Sequence, residues 1–324
     1  MVLLDGTMST LSHGCETNIG LIYRLLMDLP DDAGVTLYYE PGIQWRGFRR
    51  LHEVLAGVGI NRQIRRAYLF LARNYQPGDK VVLMGFSRGA YAVRSLAGLI
   101  DRIGLLRPAQ ISEETLDRVY HLYRTDPGGA EAQALRASLC HPEMRIAFMG
   151  VFDTVRALGI RWPFLWRFAG TPHPYHNHTL GPATQVARHA LALDEMREAY
   201  TPVLWEAPLK GSGDVVQMWF RGTHGDVGGQ LNGRNWARPL SNISLAWMLG
   251  EAQAAGLPLP PDWRHRYVTD PGGRSIGRWA GWSKVFLARR RRVVGRYPSE
   301  ALHPSVEQAG HPARLPPPQQ AAAE

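Results

Sequence analysis

The sequence predicts an α/β fold with a mostly parallel central sheet and helices on both faces. Three observations predict it. Short runs of buried-type apolar residues recur along the chain, at Val2 to Leu4, Val81 to Met84, Arg145 to Val151 and Val215 to Phe220. Segments with helical apolar spacing separate them, which is the pattern of strands joined by crossover helices. One run, beginning at Lys80, passes through Gly85-Phe86-Ser87-Arg88-Gly89 straight into a helical pattern, so a G-x-S-x-G motif sits on a strand-to-helix turn.

Each element follows from local pattern. Val2 to Leu4 ends in Asp5-Gly6-Thr7 and reads as a buried strand running into a loop. Residues 17 to 29 have helical spacing, and Val35 to Tyr39 reads as a strand closed by Glu40-Pro41-Gly42. Residues 61 to 75 form an amphipathic helix, with Asn61 as its cap and Pro77-Gly78-Asp79 as its end. The continuous apolar run before Gly85 suits a strand covered on both faces. Residues 88 to 100 are helical, and residues 113 to 139 are one or two helices broken at Pro127-Gly128-Gly129. After the Arg145 to Val151 strand, residues 158 to 182 are aromatic, proline-rich and irregular. Residues 184 to 199 read as a helix, Val215 to Phe220 as a strand and residues 241 to 255 as a helix. The domain division expected is a catalytic domain over 1–270, with cap or lid insertions at 104–143 and 157–182. A basic C-terminal extension over 271–324 ends in a disordered PARLPPPQQAAAE tail.

Composition bounds the function. A chain of 324 residues, 45% hydrophobic and 20% charged, supports one large core and is not of disordered type. The net charge of +9 comes almost wholly from arginine, since Lys80, Lys210 and Lys284 are the lysines. A basic surface attracts anions, but no nucleic-acid motif accompanies the charge, so no specific nucleic-acid partner is expected. Cys15 and Cys140 could form at most one disulfide and suggest no cysteine metal site. The N-terminus lacks a basic region followed by a long apolar one, so a cytoplasmic protein without a signal peptide is expected.

The chemistry centres on Ser87. A nucleophile on a tight turn needs glycines beside it so that strand and helix approach without a Cβ clash. The turn aims the backbone N–H of Arg88 at a developing oxyanion, aided by the helix N-terminus. A serine hydroxyl needs a base, and the base needs an orienting acid. In hydrolases the chain order is Ser, acid, His. Asp153 and His224 each follow a buried strand, so parallel strands bring Ser87, Asp153 and His224 to one sheet edge. His224 is then the base and Asp153 the orienting acid. Asp226 is the rival acid; being only two residues from His224, it is read instead as a supporting carboxylate that orders its loop. The second oxyanion donor is Gly6 or Thr7, with Asp5 ordering that loop. Gly85 and Gly89 support the turn. No cofactor or metal is required.

These residues carry a resemblance. DGT at 5–7, TNIGLIYRLL at 17–26, YYEPG at 38–42, the long segment from Asn61 through GFSRGAY to Ile100, GVFDTV at 150–155, ARHALALDEMREAYTPVLW at 187–205, and THGDVGG followed by LSNISLAWML appear in order. Together they resemble the α/β-hydrolase family that includes the catalytic domains of type VI secretion phospholipase effectors, over roughly residues 1–255. The resemblance implies an α/β-hydrolase-like fold with a cap. It also implies a serine carboxylester hydrolase, phospholipase A-like, whose triad is Ser87, Asp153 and His224. It implies an ester or phospholipid substrate, peripheral membrane contact, a secretion-system partner and export without a signal peptide. Two loops depart from the family's usual DGTWN and HSDVGGGY: here they read Asp5-Gly6-Thr7-Met8-Ser9 and His224-Gly225-Asp226-Val227-Gly228-Gly229-Gln230-Leu231. Alternatives to the lipase are a small-ester or thioester hydrolase and an inactive hydrolase-like binding module.

Three further features invite function. His173, His176 and His178 cluster in a polar loop that could offer metal ligands, though no cysteine or carboxylate completes a set. Ile160 to Phe168, with Trp162 and Trp166, reads equally as a lid or membrane-facing patch and as core. The run Arg289 to Arg292 reads as a solvated basic helix end that could touch anionic lipid.

Overall fold

The computed structural model describes residues 1–42, 58–155, 180–206, 213–279 and 288–315, and the elements and counts given refer to these. Strands β1 (Val2–Leu4), β2 (Tyr38–Glu40), β3 (Val81–Phe86), β4 (Ile146–Phe152), β5 (Val186–Ala192), β6 (Asp214–Phe220) and β7 (Glu300–Leu302) form one parallel sheet in the order β2-β1-β3-β4-β5-β6-β7. The helices are α1 (Asn18–Met27), α2 (Val58–Asn74), α3 (Arg88–Ile103), α4 (Glu113–Thr125), α5 (Ala130–Leu139), α6 (His224–Gly228), α7 (Arg238–Ala254), α8 (Trp263–Arg266) and α9 (Pro304–Gln308).

Strand side chains alternate between two cores. Val2 and Leu4 of β1, Val81 and Leu83 of β3, and Met149 and Val151 of β4 pack with α2, α3, α4 and α5. Leu3, Val82, Met84, Phe86, Phe148 and Phe152 face the other way, onto α1 and α7. Burial on both faces explains why these strands read as continuous apolar runs. The chain moves outward to β2 from β1, then crosses back to β3 on the other side. The order therefore reverses between β1 and β3, and crevices that receive ligands open beyond the C-terminal strand ends at such a switch point. Here the ends of β1 and β3 are the Asp5-Gly6-Thr7 loop and Ser87.

Several elements differ from the sequence reading. Residues 184–199 are not a helix: Val186–Ala192 is β5, paired along its length with β6 and with β4. Its alanines favour helix in isolation. The strand lies between two others, buried from Ala187 onward, and that setting overrides propensity. Its one long polar side chain, Arg188, is held by Asp214 and Glu251 at 2.6 and 2.5 Å. Asn61 does not cap its helix, because α2 already runs from Val58. Strand β2 is displaced toward Glu40, paired with β1 through Tyr38, Tyr39 and Glu40. The Arg289–Arg292 run is not a helix end; it is non-helical, with Arg289 bridged to Arg197. Within the segment set apart as an extension, Glu300–Leu302 joins the sheet edge beside β6. Cys15 and Cys140 are both free thiols. The histidine cluster at 173–178, the aromatic segment at 160–168 and the end of the tail lie outside the described residues, as does most of the 157–182 insertion.

Candidate active site

Ser87 sits between β3 and α3 with φ 57° and ψ −118°, a left-handed strained turn for a non-glycine residue. The turn is tied to the sheet by the Ser87 N–H, which donates to the Phe152 carbonyl at 3.0 Å. It closes only because the residues two positions before and after the serine lack side chains. A Cβ on Gly85 would stand 2.7 Å from the Ala90 nitrogen, and one on Gly89 would stand 2.1 Å from the Leu4 carbonyl oxygen. Gly6 and Gly228 both press on the Phe86 ring, the residue before the serine.

The structure brings Ser87, Asp153 and His224 together. His224 Nε2 lies 2.9 Å from Ser87 Oγ, and His224 Nδ1 lies 2.6 Å from Asp153 Oδ2. All three side chains are buried, with Ser87 7% exposed and Asp153 fully enclosed. The tautomer that satisfies both contacts has Nδ1–H donating to Asp153 and Nε2 accepting from the serine hydroxyl. Asp153 also has positive φ, 41°, just beyond β4. Its N–H donates to the Ala190 carbonyl at 2.7 Å and its Oδ1 accepts from the Ala192 N–H at 3.1 Å, so β5 fixes its place. The imidazole of His224 packs against Phe86 and Tyr200, at centroid distances of 4.8 and 4.7 Å.

A fourth side chain completes this group. Arg292 donates from Nη1 to Asp153 Oδ1 at 2.5 Å and from Nη2 to Oδ2 at 2.9 Å. It donates also to the carbonyls of Ala192 and Tyr200, at 2.8 and 2.6 Å. Burial alone would raise the Asp153 carboxyl; the Arg292 charge and the His224 hydrogen bond overturn that and hold it far below the usual carboxylate range.

The first loop lies beside the serine turn, at the end of the strand paired with β3. Asp5 accepts from the Gly6 N–H at 2.6 Å, from the Thr17 hydroxyl at 2.8 Å and from the Tyr39 hydroxyl at 2.9 Å, joining the loop to α1 and β2. Thr17 in turn caps α1 by accepting from the Gly20 N–H. The Arg88 side chain donates to Thr7 Oγ1, and Gln230 donates to the Thr7 carbonyl at 2.7 Å, linking the serine turn and the histidine loop to this one. Burial pushes the Asp5 carboxyl up to about 6, against the donors that lower it. A raised folded value means that Asp5 contributes stability fully below its unfolded value of 3.8, and that this is lost as pH rises through 6. The stability of wild type relative to Asp5→Asn should therefore fall by about 3 kcal/mol between pH 3.5 and pH 7. Urea unfolding of both proteins across that range checks it; a flat difference contradicts it.

Asp226 lies beside His224 but takes another role. It accepts from the Thr223 N–H and hydroxyl, both at 2.8 Å, from the Ser275 hydroxyl at 2.6 Å and from the Ile276 N–H at 2.9 Å. It therefore closes the capping box of α6 and pins the 275–276 loop onto it.

The family of type VI secretion system, Tle1-like phospholipase effector catalytic domains matches residues 1–251. The chain belongs to this family. It is also 29% identical over 229 residues to an uncharacterized protein of Saccharomyces cerevisiae, covering 61% of this chain and 31% of that one. Among solved structures it is similar to the Tle1 effector bound to the VgrG spike from the type 6 secretion system, with a TM-score of 0.40 and 21% identity. That match covers 70% of this chain and 50% of the other. The chain thus spans about a third of the curated relative and half of the solved one.

The residues that reading the sequence for this family missed are Arg292, Tyr200 and Glu195. Glu195, buried, accepts from the His224 backbone N–H at 3.2 Å while its carboxylate is paired with Arg197 at 2.5 Å. Arg197 in turn stacks over Tyr200 at 3.8 Å. Glu195 lies within residues 184–199, whose reading as helix hid its approach to the sheet edge, and Tyr200 follows directly after them. Arg292 had no signal beyond charge. Among the described residues no group of three or more histidine, cysteine, aspartate or glutamate side chains is arranged to hold a metal ion.

Proposed function

We propose that the chain is a serine carboxylester hydrolase acting on phospholipid, phospholipase A-like, through Ser87, His224 and Asp153 and an acyl-enzyme. The observation that carries this reading is the hydrogen-bonded line from Ser87 Oγ through His224 to Asp153, at 2.9 and 2.6 Å, on the sheet edge beside the switch point. Membership of the phospholipase effector family supports the substrate class.

In the proposed reaction, Ser87 Oγ attacks the ester carbonyl carbon while its proton passes to His224 Nε2. The imidazolium is stabilised by Asp153. The carbonyl oxygen becomes an oxyanion, received by the N–H of Arg88 at the start of α3 and by that of Gly6 or Thr7. The tetrahedral intermediate collapses, His224 protonates the leaving alkoxide, and the lysophospholipid departs. Water then attacks the acyl-Ser87 bond, giving its proton to His224, and the fatty acid is released as Ser87 regains its hydrogen. No helix among the described residues is long and apolar enough to cross a bilayer. Delivery by a secretion system is the route the family membership supports.

The test is hydrolysis of phospholipid vesicles and of short- and long-acyl p-nitrophenyl esters by wild type and Ser87→Ala. Wild type should cleave both substrate kinds, and Ser87→Ala should lose roughly 10⁵- to 10⁶-fold in kcat. Cleavage of short esters only would overturn the lipid reading and leave a small-ester hydrolase. No turnover by folded wild type would overturn the enzyme.

A further inference from the structure

Asp153 poses a problem that the other two triad members do not solve. It is fully enclosed, and an isolated carboxylate taken out of water costs several kcal/mol unless paired. His224 cannot be that partner in the resting enzyme, since a neutral imidazole offers one hydrogen bond and no charge. A permanent cation beside Asp153 offsets that cost and lets it meet the imidazolium as an anion.

Arg292 meets each requirement. Its guanidinium is always charged and presents a rigid planar fork matched to a carboxylate. It grips both Asp153 oxygens, at 2.5 and 2.9 Å, and its side chain is only 5% exposed. The grip fixes the carboxylate plane, which leaves Oδ2 aimed at His224 Nδ1 at 2.6 Å. The arginine is itself located by the Ala192 carbonyl at the end of β5 and by the carbonyl of Tyr200, whose ring lies on His224. It belongs to the non-helical segment that leads into β7, beyond the residues 1–251 that the family matches.

We propose that Arg292 is a positioning residue of the reaction: it holds Asp153 as an oriented anion against His224, so the catalytic unit extends past residue 251 to the segment carrying Arg292. This rests on the reading of Ser87, His224 and Asp153 as a triad. Arg292 acts through Asp153 and touches no reacting atom. Its neighbours Arg290 and Arg291 are exposed and have no such role.

The experiment compares wild type, Arg292→Ala, Arg292→Lys and the exposed control Arg291→Ala on a soluble ester. Labelling of Ser87 in wild type by a fluorophosphonate comes first. Arg292→Ala should lose about 100- to 1000-fold in kcat with KM within about twofold, because the missing group stabilises the transition state rather than binding substrate. Guanidinium ion, added at concentrations that leave unfolding unchanged, should restore part of the loss. Arg292→Lys keeps the charge but not the fork, and should fall at least about tenfold below wild type. Arg291→Ala should match wild type. A folded Arg292→Ala with kcat within about threefold of wild type overturns the proposal. If Arg292→Ala does not fold, Arg292→Lys decides, and wild-type kcat in it overturns the proposal equally. Failure of wild type itself to label or turn over would instead overturn the triad reading on which the proposal stands.

Discussion

Asp153→Asn should lower kcat on a soluble ester by about 10⁴-fold with KM nearly unchanged, and should also cost about 3 kcal/mol or more of stability, because Arg292 loses its buried counter-charge. The reason lies in the donors around the carboxylate. Oδ1 accepts from Arg292 and from the Ala192 N–H; Oδ2 accepts from His224 and from Arg292. Every partner is a donor, so an amide nitrogen in either position meets one. With the NH₂ toward Oδ1 it opposes Arg292 and the Ala192 N–H inside the protein, an uncompensated polar contact. With the NH₂ toward Oδ2 it faces His224 Nδ1, which must then give up its hydrogen. The imidazole shifts its proton to Nε2 and can no longer accept from Ser87. The second arrangement sets the NH₂ against Arg292 Nη2, which keeps the Tyr200 carbonyl, but leaves Arg292 Nη1 and the Ala192 N–H satisfied at Oδ1, and is the one expected. Initial rates, with circular dichroism to establish folding, check the result. A loss smaller than about tenfold contradicts the role given to Asp153.

Gly89→Ala should destabilise the protein by about 3 kcal/mol or more and abolish most activity. The added methyl would stand 2.1 Å from the Leu4 carbonyl oxygen and 2.6 Å from the Asp5 one. Both obstacles are backbone, held by the pairing of β1 with β2 and β3, so no side chain can swing aside. Either α3 lifts off the sheet or the Asp5-Gly6-Thr7 loop moves, and each displaces a proposed oxyanion donor from Ser87. Gly128→Ala is the control: a Cβ there has nothing within 4 Å, and its cost should be within about 0.5 kcal/mol. Urea unfolding of both variants measures the contrast. Equal stabilities would contradict the close packing of the serine turn on β1.

The sheet was legible where strands are buried on both faces and end in a chemically capable residue. Val81–Phe86 and Ile146–Phe152 announce themselves by unbroken apolar runs, with Ser87 and Asp153 just beyond them, and His224 stands four residues past the Asp214–Phe220 strand. Strand β5 was not legible, because Ala187, Ala190 and Ala192 are helix formers whose small size suits a middle strand. Strand β7 has three residues and no apolar run, and pairing with β6 defines it. Arg292 was illegible for a related reason. Four consecutive arginines look alike in sequence, and only tertiary structure sends one to a buried carboxylate while Arg290 and Arg291 stay in solvent. Asp226 was legible as a carboxylate that orders its loop, and its capping-box pairing with Thr223 comes from the structure. The order of β1 and β3, which places the Asp5 loop next to Ser87, follows from long-range pairing that local pattern does not encode.

The central claim is that Ser87 is an activated nucleophile in this fold. Its most direct measurement is reaction of the folded protein with a fluorophosphonate, followed by mass spectrometry of its peptides. The proposed chemistry predicts one adduct per chain, on Ser87, lost in Ser87→Ala and slowed in His224→Ala by about 10³-fold or more. An unlabelled folded protein, or an adduct on another residue with Ser87 untouched, would contradict it.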